Sequence, residues 1–566
     1  MGVPKMFLWL LKKYKKSNFV FQNETTKLED IDWFMIDANG LCHPKAFEIL
    51  AEEQIDKGEN INFKSLQNKM INAIILYIEK LIDYVDPKVG VYIAIDGPVC
   101  LAKIKQQRQR RFRSVHDKIL FDKIKTKHKK PIPYYWNNSA ISPGTKFMDK
   151  LHLKILNFIN EYKLKKNIKI IYSSSNIPGE GEHKLLEYIK EHKNNNYSYV
   201  TYGLDADLIF LMFVTQSDKV YLLREAQQFE ASSSKDQLNF VSIKIMKECI
   251  LDTFENYINS EEDEIKFKLD KNRIINDFVF LCYFLGNDFL PHILALDISK
   301  NGIEYLIEKY AMTFIMKNDY ILSENTKMIN QTFLQDFLKE LSLDENLILT
   351  ENYGVNKRKP RYQGNDEYEK ELFKIENLLF KVNDPIGIGE DLNYRENYYK
   401  YYFDVEYNEL ESFVEKLVKN YLIGIRWVTH YYFEKIIDFN WYYPYDNPPF
   451  LCDIYKYLIN MDTIKFDETS LPMTPFEQLL IILPPQSKYL LPTCLAKLVS
   501  SPQSSLAHLY PIDFEIDFLY KRRYWEGIPR LPGLEYKLTK YIYKKYKNEL
   551  TDDEKYRNRL DEIILI

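Results

Sequence analysis

The sequence predicts an α/β fold: a doubly wound, mainly parallel sheet followed by a largely helical second region. Short apolar runs rich in β-branched and aromatic residues recur at 33–36, 91–95, 168–172 and 199–202. Longer stretches at 64–84 and 145–162 lie between them, with apolar residues repeating near periods of three and four. Beyond residue 300 the helical pattern dominates. Strand–helix–strand alternation of this kind buries a parallel sheet between helices.

Taken in order, each strand leads into carboxylates. The run at 33–36 ends in Asp37, and the run at 91–95 ends in Asp96. The run at 168–172 is followed by Pro178-Gly179-Glu180-Gly181-Glu182-His183, and the run at 199–202 by Gly203-Leu204-Asp205-Ala206-Asp207. Asp288, in Gly286-Asn287-Asp288-Phe289, follows a further apolar stretch. Open parallel sheets bind ligands beyond the carboxyl ends of their strands, so these acids should share one crevice. One strand-end Asp is ordinarily a loop or cap residue; four successive strands ending in acids are harder to dismiss. Carboxylates crowded together repel unless cations neutralise them. Hard oxygen ligands without convergent His or Cys point to Mg²⁺, with Mn²⁺ able to substitute. Two such ions roughly 4 Å apart suit phosphodiester hydrolysis.

A basic block follows Asp96. Residues 103–130 hold twelve Lys/Arg against Asp117 and Asp122, a local balance of +10. Its first part reads as a helix with Lys103, Gln107, Arg110 and Arg111 on one face, suited to a phosphate. The later half, 123–130, reads as an exposed basic run or a nuclear-localisation-like signal. The cluster Trp441-Tyr442-Tyr443-Pro444-Tyr445 offers rings that could stack on bases, although aromatics at such spacing are more often core. His43, six residues past Asp37, is weak evidence on its own.

Composition bounds the rest. The 566 residues suggest two to four domains, divided here as 1–310, a linker or insertion at 311–395, and 396–566. At 46% hydrophobic and 28% charged, the chain is not wholesale disordered. The net charge of −4 argues at first sight against a polyanion partner. Six scattered Cys without C-x-x-C fit a reducing interior. The apolar stretch at 6–11 is too short for a signal-peptide core, and the longest apolar run, 278–285, is too short to span a bilayer. The expectation is a soluble cytoplasmic monomer without a membrane partner, a nuclear site not being excluded.

The motifs resemble the XRN family of 5′→3′ exoribonucleases. The resemblance is carried by Met1-Gly2-Val3-Pro4-Lys5, Asp37-Ala38-Asn39-Gly40 and Gln106-Gln107-Arg108-Gln109-Arg110-Arg111-Phe112-Arg113. It extends through Gly179-Glu180-Gly181-Glu182-His183-Lys184, Tyr202-Gly203-Leu204-Asp205-Ala206-Asp207, Gly286-Asn287-Asp288-Phe289-Leu290-Pro291-His292, Trp441-Tyr442-Tyr443-Pro444-Tyr445 and Leu483-Pro484-Pro485-Gln486-Ser487. It implies a PIN/FEN-like nuclease core and a second conserved region packed around the active site. By resemblance, Asp37, Asp96, Glu180, Glu182, Asp205, Asp207 and Asp288 are the acids of a two-Mg²⁺ site. Lys103, Gln107, Arg110 and Arg111 bind the 5′-monophosphate of single-stranded RNA, His43 and Trp441 stack on the leading bases, and Asn39 adds a substrate contact. The implied activity is processive release of mononucleotides in mRNA decay, with decapping machinery as an analogous partner.

Two departures stand out. Cys100 occupies the entrance segment where cytoplasmic relatives carry Pro, which leaves the handling of structured RNA open. The β-barrel and winged-helix extension of the cytoplasmic members is unmatched here. Richness in Ile, Lys, Asn and Tyr fits an AT-rich genome, viral or other. The rivals are a DNA-directed FEN-like 5′ nuclease, which should carry a helix-hairpin-helix that is not evident, and a catalytically silent RNA-binding scaffold, which should have lost acids.

Overall fold

The structure is a computed structural model describing residues 5–21, 28, 30–57, 61–226, 237–259, 266–354, 360–380 and 382–565. Met1–Pro4 of the N-terminal motif lie outside the described residues.

Eight strands form one sheet: β1 (Val20–Phe21), β2 (Trp33–Asp37), β3 (Gly90–Ala94), β4 (Lys169–Ser173), β5 (Tyr199–Tyr202), β6 (Val220–Glu225), β7 (Leu238–Ser242) and β8 (Ile564–Leu565). Their order is β1-β7-β6-β5-β2-β3-β4-β8. The five central strands, β6 to β4, are parallel, and the edges are closed by antiparallel pairings of β7, β1 and β8. The chain runs outward from β2 through β3 to β4, then returns to lay β5 on the other side of β2. The order therefore reverses between β2 and β5, and a crevice opens at such a reversal. Register aligns the carboxyl ends, because Asp37 pairs with Ala94, Ala94 with Ser173, and Ile36 with Tyr202.

Alternate residues of the sheet enter different cores, as the period of two requires. Phe34, Ile36, Val91, Ile93, Ile170 and Tyr172 pack against the helices Phe63–Val85 and Lys146–Lys165. Trp33, Met35, Tyr92, Ala94 and Ile171 face the opposite way, into a core continuous with the helices of the second half.

That continuity corrects the reading of 311–395 as a linker or insertion. The segment holds the end of the helix Gly302–Lys317 and the helices Gln331–Leu343, Glu345–Tyr353 and Glu367–Glu376. Phe333, Leu334, Phe337, Leu338 and Leu341 carry a helical stripe into the shared core, where Leu349, Ile386 and Ile388 join them. Polar residues on the outer faces hid this stripe from a compositional reading. Only Glu367–Glu376 is a surface helix, with no buried residue.

The basic helix runs Leu101–Lys127, well past the expected 103–113. Leu101, Ile104 and Phe112 fix it against Phe476, Leu479, Leu480 and Leu483 of the C-terminal block. None of the described helices is long and apolar enough to cross a membrane.

Candidate active site

The seven acids reach one crevice at the carboxyl edge of the sheet. Glycines let them approach. A Cβ on Gly181, between Glu180 and Glu182, would lie 2.8 Å from Asp37 Oδ1 and 3.4 Å from Asp96 Oδ1. No side chain fits there, and the Gly181 N–H instead donates to Asp96 Oδ1 at 2.7 Å. Next to it, Gly97 N–H donates to Gly179 O and Gly179 N–H to Pro98 O, both at 2.9 Å, which clamps the two loops together. Asn39 links the first two acids. Its N–H donates to Asp37 Oδ1 at 3.3 Å, and its Oδ1 accepts from Asp96 N–H at 3.4 Å.

Electrostatics confirm the crowding. Burial, then the charges of Asp96 and Asp205, holds the Asp37 carboxyl well above the usual carboxylate range. Burial, then Asp205 and Asp207, does the same to Glu182. Burial and then Asp288 push Asp207 up to about 7. Asp96 is raised by burial and Glu180. Asp288 goes the other way: despite burial, the Lys103 ammonium brings it below the usual range. Such a nest lacks positive charge, and Glu182 Oε2 is buried without a hydrogen-bond partner. Hard-oxygen donors short of cations fit Mg²⁺ or Mn²⁺. Among the described residues, however, no three of these side chains are drawn into a closed metal cage. Part of the missing charge comes from Lys103, which pairs with Glu180 and, at 2.7 Å, with Asp288 Oδ2.

Lys103 therefore lies among the acids, one turn before the remaining pocket residues. Gln107 Oε1 accepts from Gln478 Nε2 at 3.1 Å, which leaves its own amide N–H groups to donate. Gln478 is buried and held in turn by Val99 N–H, 2.9 Å from its Oε1. Arg111 donates from Nη2 to Ser142 Oγ at 2.8 Å, while its Nε is buried without a partner. Arg110 is exposed. His43 lies beside both arginines, and burial, then Arg111 and Arg110, lowers its pKa to about 4. The rest of the basic block is structural in part. Arg108 donates to Leu509 O and Pro532 O, and Arg113 to Asp117, Tyr524 O and Gly527 O.

Trp441 is half-buried, with one face on Trp427 (centroids 4.9 Å, 25° between planes). Its neighbour Tyr443 is fully core, so the cluster divides between the two readings. Cys100, in the entrance segment, is buried at the start of the basic helix.

Four further residues of the site have no role assigned from the sequence. Tyr431 Oη donates to Glu180 Oε1 at 2.7 Å, and Tyr432 Oη to Asp207 Oδ1 at 3.2 Å. Gln478 orients Gln107, and Lys184, buried behind Asp96, donates to Ile95 O at 2.7 Å. Burial lowers the Lys184 pKa to about 7, against the pull of Asp96. The first three lie 225 or more residues along the chain from the residues they touch; Lys184 alone lies within one of the sequence motifs.

A parallel-cored sheet with acids massed at its switch point, and a basic helix beside them, defines an α/β nuclease core. The N-terminal model of the XRN 5′-3′ exonucleases matches residues 1–226, and the model described as the Xrn1 helical domain matches 268–384 and 381–566. The chain belongs to the XRN family. Over 99% of its length it is 28% identical to 5′-3′ exoribonuclease 2 of Arabidopsis thaliana, covering 68% of that protein. It is 29% identical over its whole length to human 5′-3′ exoribonuclease 1, of which it spans 35%. For 5′-3′ exoribonuclease 2 of Candida albicans the identity is 27%, over 74% of that protein. The residues matched by the helical model begin at 268 and include Asp288.

Proposed function

We propose that this protein is a 5′→3′ exoribonuclease that degrades single-stranded RNA bearing a 5′-monophosphate, using two Mg²⁺ ions and releasing nucleoside 5′-monophosphates. One observation carries the reading. The unpartnered Arg111 Nε, Arg110 and the oriented Gln107 amide lie one to two helical turns from Lys103, which is embedded in the acid crevice. A phosphate held at the first set places the next phosphodiester over the second.

The terminal phosphate is bound by charge-assisted hydrogen bonds from Arg110 and Arg111 and by the Gln107 amide. His43, neutral at physiological pH, presents its ring to the first base, and Trp441, backed by Trp427, presents a face to another. Fixing both ends of the leading nucleotide turns bond cleavage into an intramolecular problem of geometry. The seven acids would hold Mg²⁺, which when bound would activate water and stabilise the departing 3′ oxygen. Lys103 pairs with Glu180 and holds Asp288 ionised. No side-chain nucleophile is required.

A pocket sized by one phosphate excludes caps and triphosphates, and bases held by stacking favour processive advance. In the cell this suits mRNA decay in the cytoplasm downstream of a decapping enzyme. End-labelled RNA and DNA carrying 5′-hydroxyl, monophosphate or triphosphate, incubated with Mg²⁺ or EDTA, test the proposal. Monophosphorylated RNA should be consumed from its 5′ end only with Mg²⁺. Equal cleavage of 5′-hydroxyl RNA would overturn the pocket, preference for DNA would favour a flap nuclease, and binding without cleavage a scaffold.

A further inference from the structure

We propose that Tyr431 and Tyr432 are positioning residues for the divalent-cation site, each acting through the carboxylate to which its phenol donates. This deepens the metal reading of the acids and rests on it.

The two phenols leave the same helix, Leu410–Phe433, in the second region and reach acids that follow two different strands of the first. Tyr431 takes Glu180 Oε1, while Lys103 takes the other oxygen, Oε2, so both ends of that carboxylate are fixed. Tyr432 takes Asp207 Oδ1. Neither ring can drift. Tyr431 is stacked on Trp427 (5.5 Å, 20°), meets Phe289 edge-on (4.7 Å, 62°) and lies against His183 (4.6 Å). Tyr432 is stacked on Tyr283 (5.6 Å, 20°) and crosses Phe210 (6.3 Å, 78°).

Packing alone would be served by Phe at both positions. A buried hydroxyl costs free energy unless it is bonded, and these two are bonded to acids of the crevice. A donor on one oxygen favours the ionised carboxylate and fixes the direction of its remaining lone pairs. Metal-ligating side chains are oriented by such outer partners, whose loss typically weakens metal affinity about 10- to 100-fold. The stack Trp441–Trp427–Tyr431 further ties the base-stacking ring to the ring that holds Glu180.

The test is Mn²⁺ binding to the full chain without RNA, followed by electron paramagnetic resonance. Tyr431→Phe and Tyr432→Phe should each raise the Mn²⁺ dissociation constant about tenfold. Their melting temperatures in EDTA, and their affinity for monophosphorylated RNA in EDTA, should stay at wild-type values. Raised Mg²⁺ should restore their kcat with KM for RNA unchanged. In a Glu180→Gln background the Tyr431→Phe effect should vanish while that of Tyr432→Phe persists; Asp207→Asn should give the converse. If Tyr431→Phe does not fold, the Tyr432–Asp207 cycle decides. Wild-type affinity in both Phe variants, or losses indifferent to the paired acid, would overturn the inference and leave the metal reading standing. A wild-type protein that binds no Mn²⁺ would overturn both.

Discussion

Arg111→Met should make the protein more stable and less active at once, and both magnitudes follow from the structure. The Arg111 guanidinium has Ser142 Oγ as its hydrogen-bond partner, and its Nε is buried without one. Burial, then the charge of Arg110, pushes its pKa from 12.5 down to about 10. At 1.36 kcal/mol per unit, the shift corresponds to an unfavourable charge of about 3 kcal/mol in the RNA-free protein. The sign is fixed across the neutral range: below pH 10 the group is charged folded and unfolded, so the penalty is fully present. Removing the charge should raise stability by about 1–3 kcal/mol, read from urea midpoints at unchanged slope. In the proposed binding mode the same substitution also removes a charge-assisted bond to the terminal phosphate, worth about 1.5–3 kcal/mol. Hence kcat/KM for 5′-monophosphorylated RNA should fall about 10- to 150-fold, with 5′-hydroxyl RNA unaffected. Matching losses on both RNAs, or a less stable variant, would refute the reasoning.

Other outcomes follow from the same site. Asp207, raised to about 7, favours the folded state while protonated, a contribution lost as pH rises from about 4 to about 7. Thermal melts in EDTA should therefore drop across that window, less so for Asp207→Asn, and Mg²⁺ should raise the melting temperature at pH 8 but not at pH 5. His43 is neutral at pH 7 because burial and then Arg111 lower its pKa to about 4. RNA affinity in EDTA should thus survive His43→Phe but weaken by about 1–3 kcal/mol in His43→Ala, with a similar loss in Trp441→Ala. Lys103→Met strips a buried cation from Glu180 and Asp288. Denaturant titration should show a loss of about 3–5 kcal/mol in EDTA, shrinking when Mg²⁺ is added.

The acids were legible because strand periodicity and strand-end carboxylates are local signals. The strands at 33–36, 91–95, 168–172 and 199–202 are found within a residue or two of their expected limits. β6 and β7 went unseen; neither ends in a carboxylate pair that draws the eye, and β7 is antiparallel. The helical stripe at 331–343 was masked by its polar partners, and so a packed segment was read as a linker. Tyr431 and Gln478 had no chance of detection. Each matters because of what it touches 251 and 371 residues away, and a tyrosine among many in an aromatic-rich helix carries no mark of that contact.

The net charge of −4 misleads for a related reason: charge acts at the distances set by the fold, not in the sum. Here the fold puts residues of the basic block to different uses. Arg108 and Arg113 are consumed by backbone carbonyls and Asp117 and hold the second region to the helix. Lys103 is consumed by the acids. Arg110, which is exposed, and Arg111, whose Nε is buried without a partner, lie beside His43. The docking that uses up Arg108 and Arg113 also brings Gln478 to Gln107 and packs the C-terminal block on the basic helix. The second region is thus part of the active site's construction. It pins the helix that carries Gln107, Arg110 and Arg111, and through Tyr431 and Tyr432 it holds two of the acids beneath it. Substitutions at that interface should therefore disturb phosphate selection and cation binding together, although no residue involved need touch RNA.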